Sequence, residues 1–110
     1  MANTITFAND MIILEDLDSD WVWTTTLTNQ KWASGVNVQS IQFIPGATGD
    51  RCYFENTAVG GDEIFDSGPC ADAYDTKIKY FGGKLMRPAL DYSDGTYSSG
   101  SKIVIDLVRA

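Results

Sequence analysis

The sequence predicts an all-β fold: a single-domain antiparallel β-sandwich or β-barrel of about eight short strands. Three observations predict it. Short runs rich in Val, Ile, Thr, Tyr, Phe and Trp alternate with clusters of Gly, Asn, Asp and Ser, which is the strand-and-turn pattern. The runs recur at intervals of roughly ten residues, the spacing of a sandwich or barrel. No segment carries the periodicity of a long amphipathic helix, so βαβ alternation and a parallel sheet are not expected.

The elements follow in order. Thr4 to Phe7 is short and extended. Residues 1–10 as a whole fit either a projecting N-terminal arm or the first strand of the domain. Met11 to Leu14 is apolar throughout. Trp21 to Leu27 alternates, with Trp21, Trp23, Thr25 and Leu27 on one face, expected to be core. Val36 to Ile44 is long, and its apolar parity changes between Val38 and Ile41. A parity change within one strand predicts a bulge or a change of covered face. Pro45-Gly46 turns the chain, and Asp50 to Glu55 returns it. Val59-Gly60-Gly61-Asp62 is a second turn before a short strand at Ile64 and Phe65, which Gly68-Pro69 ends. Ala71 to Tyr74 fits one helical turn with Asp72 as its cap. Thr76 to Phe81 sets Ile78 and Tyr80 against Lys77 and Lys79. Gly82-Gly83 reads as a two-residue hairpin turn. Lys84 to Leu90 is the return strand, where Pro88 implies an edge position or a strand end. Asp94-Gly95 marks a turn and Ser98 to Ser101 a loop. The last strand, Lys102 to Val108, places Ile103, Ile105 and Leu107 on one face.

The length of 110 residues suits one domain, 1–110. The hydrophobic fraction of 44% is that of a globular chain. No apolar run is long enough to span a membrane, and the first residues lack the basic and apolar regions of a secretion signal. The expectation is a protein made in the cytosol. Eight basic and fifteen acidic side chains leave a net charge of −7, which argues against binding a nucleic-acid backbone.

Chemistry is sparsely represented. There is no histidine, so Ser-His and Cys-His nucleophile pairs are excluded in their usual form. A carboxylate pair is formally available, but abundant acids are also what an acidic surface looks like. The expectation is no enzyme and no cofactor. Cys52 and Cys70 are too far apart in sequence for a redox CxxC pair. Two cysteines without histidine fall short of a four-ligand zinc site. They are expected to be packed, reduced thiols. Asp16, Asp18 and Asp20 alternate as calcium-loop ligands do, but Trp21 and Leu27 stand where an EF-hand loop has Gly and Glu. A polar turn is preferred, with a calcium loop as the alternative. Gly82-Gly83-Lys84 lacks the remaining elements of a phosphate loop.

Exposed aromatics on a β-sandwich stack on sugars or anchor interfaces. Trp32, in the polar stretch 29–35, and Tyr92 and Tyr97, flanking the Ser-Asp-Gly turn, are the aromatic candidates for partner contact. Thr4, Ile5 and Phe7 join them, because an extended segment can add to a neighbour's sheet edge.

The extended start Asn3-Thr4-Ile5-Thr6-Phe7 carries a resemblance, together with Lys77-Ile78-Lys79-Tyr80-Phe81-Gly82-Gly83-Lys84-Leu85-Met86-Arg87-Pro88, Asp91-Tyr92-Ser93 and Lys102-Ile103-Val104-Ile105-Asp106-Leu107. With these the chain resembles the small all-β structural proteins of tailed bacteriophages, particularly capsid decoration or cement proteins. The resemblance implies a virion protein that binds the outside of the capsid and bridges or stabilises neighbouring capsid subunits. Its partner would be the major capsid protein lattice. A homo-oligomer of two or three copies is compatible with it; nucleic acid and membrane are not expected partners. The alternative is a carbohydrate-binding β-sandwich module that uses Trp32 or Trp21 to stack on sugars, with calcium at the alternating aspartates.

Overall fold

The computed structural model describes residues 3–8, 10–26, 35–57 and 60–108. Its strands are β1 (Thr4–Ala8), β2 (Met11–Glu15), β3 (Trp21–Val22), β4 (Val36–Ile44), β5 (Tyr53–Asn56), β6 (Glu63–Asp66), β7 (Lys77–Met86), β8 (Pro88–Leu90) and β9 (Lys102–Leu107). A single helical turn, α1 (Trp23–Thr26), follows β3. The strands form two antiparallel sheets, a five-stranded one in the order β1-β2-β9-β4-β7 and a four-stranded one in the order β3-β8-β5-β6. The fold is the all-β sandwich that the strand pattern predicts.

The core is built from rows that run across each sheet. In the larger sheet, the register places Ile5 beside Leu14, Leu14 beside Ile103 and Ile103 beside Phe43. A second row runs from Phe7 through Ile12 and Ile105 to Ile41. In the smaller sheet, Trp21, Leu90, Phe54 and Phe65 form one row, and all four are buried. Burying each such side chain contributes about 1.5–3 kcal/mol. The alternation of β2, β4 and β9 therefore has its cause: one face of each strand packs against the opposite sheet.

The parity change in β4 is a bulge. The register shifts between Val38 and Ser40 against both β7 and β9. Val36, Val38, Ile41 and Phe43 consequently all point inward and are fully buried.

Four expectations need correction. Gly82-Gly83 is not a hairpin turn. Residues on both sides of the glycines pair with the same strand, β4, so β7 is one strand with an internal bulge: Val38 faces Lys84 and Ser40 faces Tyr80. Both glycines have positive φ, 66° and 87°, as a type I′ turn would require, but a bulge on an edge strand uses the same backbone. The Asn37 side chain donates to the Gly83 carbonyl at 3.0 Å and holds the bulge to β4.

The predicted strand over residues 84–90 is broken at Arg87, where the chain leaves the larger sheet and enters the smaller as β8. The strand predicted from Trp21 to Leu27 stops at Val22. The next β8 residue beyond the Val22–Ala89 pair is Pro88. Asp91 N–H donates to Tyr53 O, and Arg87 O accepts from Thr57 N–H. Odd-numbered groups of β8 therefore face β5, and the nitrogen of Pro88 faces β3 without a hydrogen to donate. The ladder ends there and the chain turns into α1. Trp21 and Trp23 are nevertheless both buried, as expected. Finally, Ala71–Tyr74 is a turn, not a helical one, closed by Asp72 Oδ1 accepting from the Tyr74 N–H at 2.8 Å.

Candidate functional site

The rows of the larger sheet end differently at its two edges. At β1 they end in Ile5 and Phe7; at β7 they end in lysine. Phe43 faces Lys77, Ile41 faces Lys79 and Val38 faces Lys84. Paired residues point to the same side of a sheet, so all three lysines lie on the inner side of β7. On the other side lie Ile78, Tyr80 and Leu85, opposite Gln42, Ser40 and Asn37. These three are 43%, 70% and 53% exposed.

The inner side of β7 overhangs β6, the edge of the smaller sheet. Between them is a cleft of about 310 Å³ lined by Glu63, Ile64, Lys79, Tyr80, Phe81, Lys84 and Met86. The Lys79 ammonium donates to the Ile64 carbonyl at 3.2 Å and sits 5.3 Å from the centre of the Phe81 ring. The ring face and the carbonyl both favour a cation there. Lys77 pairs with Asp75 at 3.3 Å. The strand Lys77–Met86 contains no acidic residue in a chain of net charge −7. That local reversal of charge is the signal that points to β7 in the sequence.

The candidates Thr4, Ile5 and Phe7 lie on β1, which pairs with β2 along its whole length. Residues 4–8 are thus a sheet strand and not a projecting arm. Thr4 is exposed and its hydroxyl donates to Asp16 at 2.7 Å; Ile5 packs against the core. Phe7 is 41% exposed. Trp32, Leu27 and Val59 lie outside the described residues. Trp21, offered for sugar stacking, is 2% exposed and belongs to the core.

Tyr92 and Tyr97 stack on each other with ring centres 5.5 Å apart, and Tyr97 meets Phe43 edge to face. The Tyr97 hydroxyl accepts from the Tyr53 N–H at 3.1 Å. Burial pushes its pKa far above the ordinary range, so the phenol keeps its proton. Tyr97 thus braces the 91–101 segment against the core.

The three alternating aspartates do not converge. Asp16 binds Thr4, Asp20 Oδ1 accepts from the Tyr92 N–H at 2.7 Å, and the Asp18 N–H donates to Asn3 Oδ1 at 2.8 Å. Among the described residues, the carboxylates that do gather are Glu55, Asp91 and Asp94, each with an oxygen within 4.8 Å of the others. Spacing in sequence hides this group, because β5 and β8 bring it together. Glu55 and Asp91 are buried. Burial raises the Glu55 carboxyl above its ordinary value, and the neighbouring Asp91 adds to the effect. Asp91 is held low against its own burial, chiefly by hydrogen bonding to Glu55, then to the Asp94 N–H and the Ser93 hydroxyl. Asp94 is raised by Asp91. Such a trio has the donor chemistry for a hard cation.

Cys52 and Cys70 are both free and buried. Burial raises both thiols, the environment of packed cysteines. Comparison with protein-family models, curated proteins and solved structures finds no match for this chain.

Proposed function

We propose that this protein is a non-enzymatic structural protein that binds other protein subunits, and that its setting is the outside of a phage capsid, where it bridges or stabilises neighbouring capsid subunits. The observation that carries the binding role is the exposure of Ile78, Tyr80 and Leu85 along one side of one edge strand. Exposed large apolar side chains grouped in this way mark interaction surfaces. The capsid setting rests on the resemblance to decoration proteins. A lattice partner suits a small domain, because many copies on one shell need only a modest interface each, about 1,200–2,000 Å² in total for a specific contact.

Sedimentation of a native lysate followed by mass spectrometry of the particle fraction tests the proposal. The expected result is that the chain travels with megadalton particles in a fixed ratio to a major shell protein. If it stays with small material while the shell protein sediments, the capsid setting is wrong.

A further inference from the structure

The β7 strand combines three features that individually are ordinary. It is an edge strand: among the described residues its only sheet neighbour is β4. It is segregated by side, with Lys77, Lys79 and Lys84 inward and Ile78, Tyr80 and Leu85 outward. Between its lysines and β6 the inner side opens onto a cleft, while Phe81 and Met86 on the same side pack against the core.

Lysines and a bulge on an edge strand are also how proteins prevent unwanted pairing. Two details favour a docking strand instead. A protected edge does not display three large apolar side chains, one of them 70% exposed. Moreover, Lys79 is turned into the cleft, where Ile64 O and the Phe81 ring hold it, and does not project along the edge.

We infer that β7 is a docking edge for an extended segment of a partner protein in which acidic and apolar residues alternate. A strand added to Lys77–Phe81 would continue the larger sheet by backbone pairing. Its side chains would alternate between the two sides of that sheet. On the cleft side they would meet Lys79 and Lys84, and Lys77 where it can exchange its pairing with Asp75; on the outer side they would meet Ile78 and Tyr80. The lysine row selects carboxylates there, and the apolar row selects aliphatic side chains. Within this run Lys77–Tyr80 pairs with β4 without a break, from Tyr80 opposite Ser40 to Lys77 opposite Phe43, which keeps it straight enough to receive a further strand. The Gly82-Gly83 bulge sets Lys84 back onto the inner side and so completes the basic row. This assignment rests on the reading of the chain as a protein-binding module and names the chemistry of what it binds.

The test uses the whole chain and a short fluorescent peptide alternating Glu and Val, with a Lys–Val peptide as its counterpart. Fluorescence anisotropy should show that the Glu–Val peptide binds and the Lys–Val peptide does not. The double variant K79E/K84E should weaken binding by about tenfold or more, and added salt should weaken it for the wild type. Backbone amide shifts on peptide addition should concentrate in Lys77–Phe81. Should the variant fail to fold, the salt dependence and the amide map still decide the matter. Equal binding of both peptides, binding of neither, or shifts that map away from β7 would overturn the inference. Particle sedimentation separates it from the capsid setting. If wild type and K79E/K84E sediment equally with particles, the β7 assignment falls and the capsid setting stands. If the peptide binds β7 but the chain leaves the particle fraction, the reverse holds.

Discussion

Asp50 grips Ser98 with both of its oxygens: Oδ1 accepts from the Ser98 hydroxyl at 2.6 Å and Oδ2 from the Ser98 N–H at 3.1 Å. Oδ2 also accepts from the N–H groups of Gly46 and Ala47, at 2.8 and 3.3 Å. One fully buried carboxylate thus ties the turn after β4 to the loop before β9. Hydrogen bonds to a charged acceptor are stronger than neutral ones. D50A leaves several buried donors without a partner and should cost about 2–4 kcal/mol, measured by chemical denaturation. S98A removes only the hydroxyl and should cost roughly 1 kcal/mol. Equal losses from the two changes would show that Asp50 is not the hub of this link.

Glu55 and Asp91 predict an unusual pH response. The raised Glu55 carboxyl prefers its proton in the folded state, so its stabilising effect is present below its unfolded value and is lost as pH rises through its folded value. Asp91 is lowered and acts oppositely: its contribution is present above its unfolded value and is lost as pH falls through its folded one. E55Q keeps an acceptor for the Gly60 N–H, which Glu55 Oε1 binds at 3.0 Å, and offers Asp91 a donor. It should stabilise the fold at neutral pH by about 1 kcal/mol and flatten the decline of melting temperature with rising pH. A destabilised E55Q with an unchanged profile would count against like-charge coupling of this pair.

The same trio allows a check for a bound cation. If the carboxylates hold calcium, millimolar calcium should raise the melting temperature of the wild type and not that of D91N. An unchanged melting temperature in both would leave the trio a structural pair with a surface neighbour.

Acid should act through Asp66. The Arg51 guanidinium donates to both Asp66 oxygens, and this pairing holds Asp66 below the usual carboxylate range. Its contribution is therefore present above the unfolded value and is lost as pH falls through the folded one. D66N should remove part of the acid-induced drop in melting temperature, with the neutral-pH value lowered as well. A D66N profile superimposable on the wild type would argue that the pair contributes nothing.

Two glycines should respond unequally to alanine. At Gly82, φ is +66° and a Cβ would meet nothing within 4 Å. The change G82A should cost roughly 1–2 kcal/mol of backbone strain. At Gly35, φ is +119° and a Cβ would lie 2.6 Å from the Met86 carbonyl oxygen. G35A should cost clearly more, because the neighbour is backbone and cannot yield. Denaturation midpoints of the two variants check the order.

The strand class and part of the core are legible in the amino-acid sequence. Ile103, Ile105 and Leu107 are buried on the one face that the alternation assigned to them, whereas Met11 to Leu14 is apolar throughout and only the structure selects Ile12 and Leu14 as its buried pair. The break in β4 was legible as a bulge or a change of covered face, because a slipped register must show itself as a broken parity, and the register decides for the bulge. These are local properties, written at period two along one strand. Tertiary structure alone decided which strands meet. Gly82-Gly83 has the backbone of a turn in either case, and only pairing of both flanks with β4 makes it a bulge. Pro88 ends β3 only because β3 lies on the side its missing hydrogen faces. Glu55 meets Asp91 because β5 pairs with β8. The sequence separates Lys77 and Lys79 from Ile78 and Tyr80, but only the register against β4 shows that the lysines face inward and that Lys84 joins them beyond the glycines. Pairing is a long-range choice set by the burial of whole sheets, and no single segment contains it.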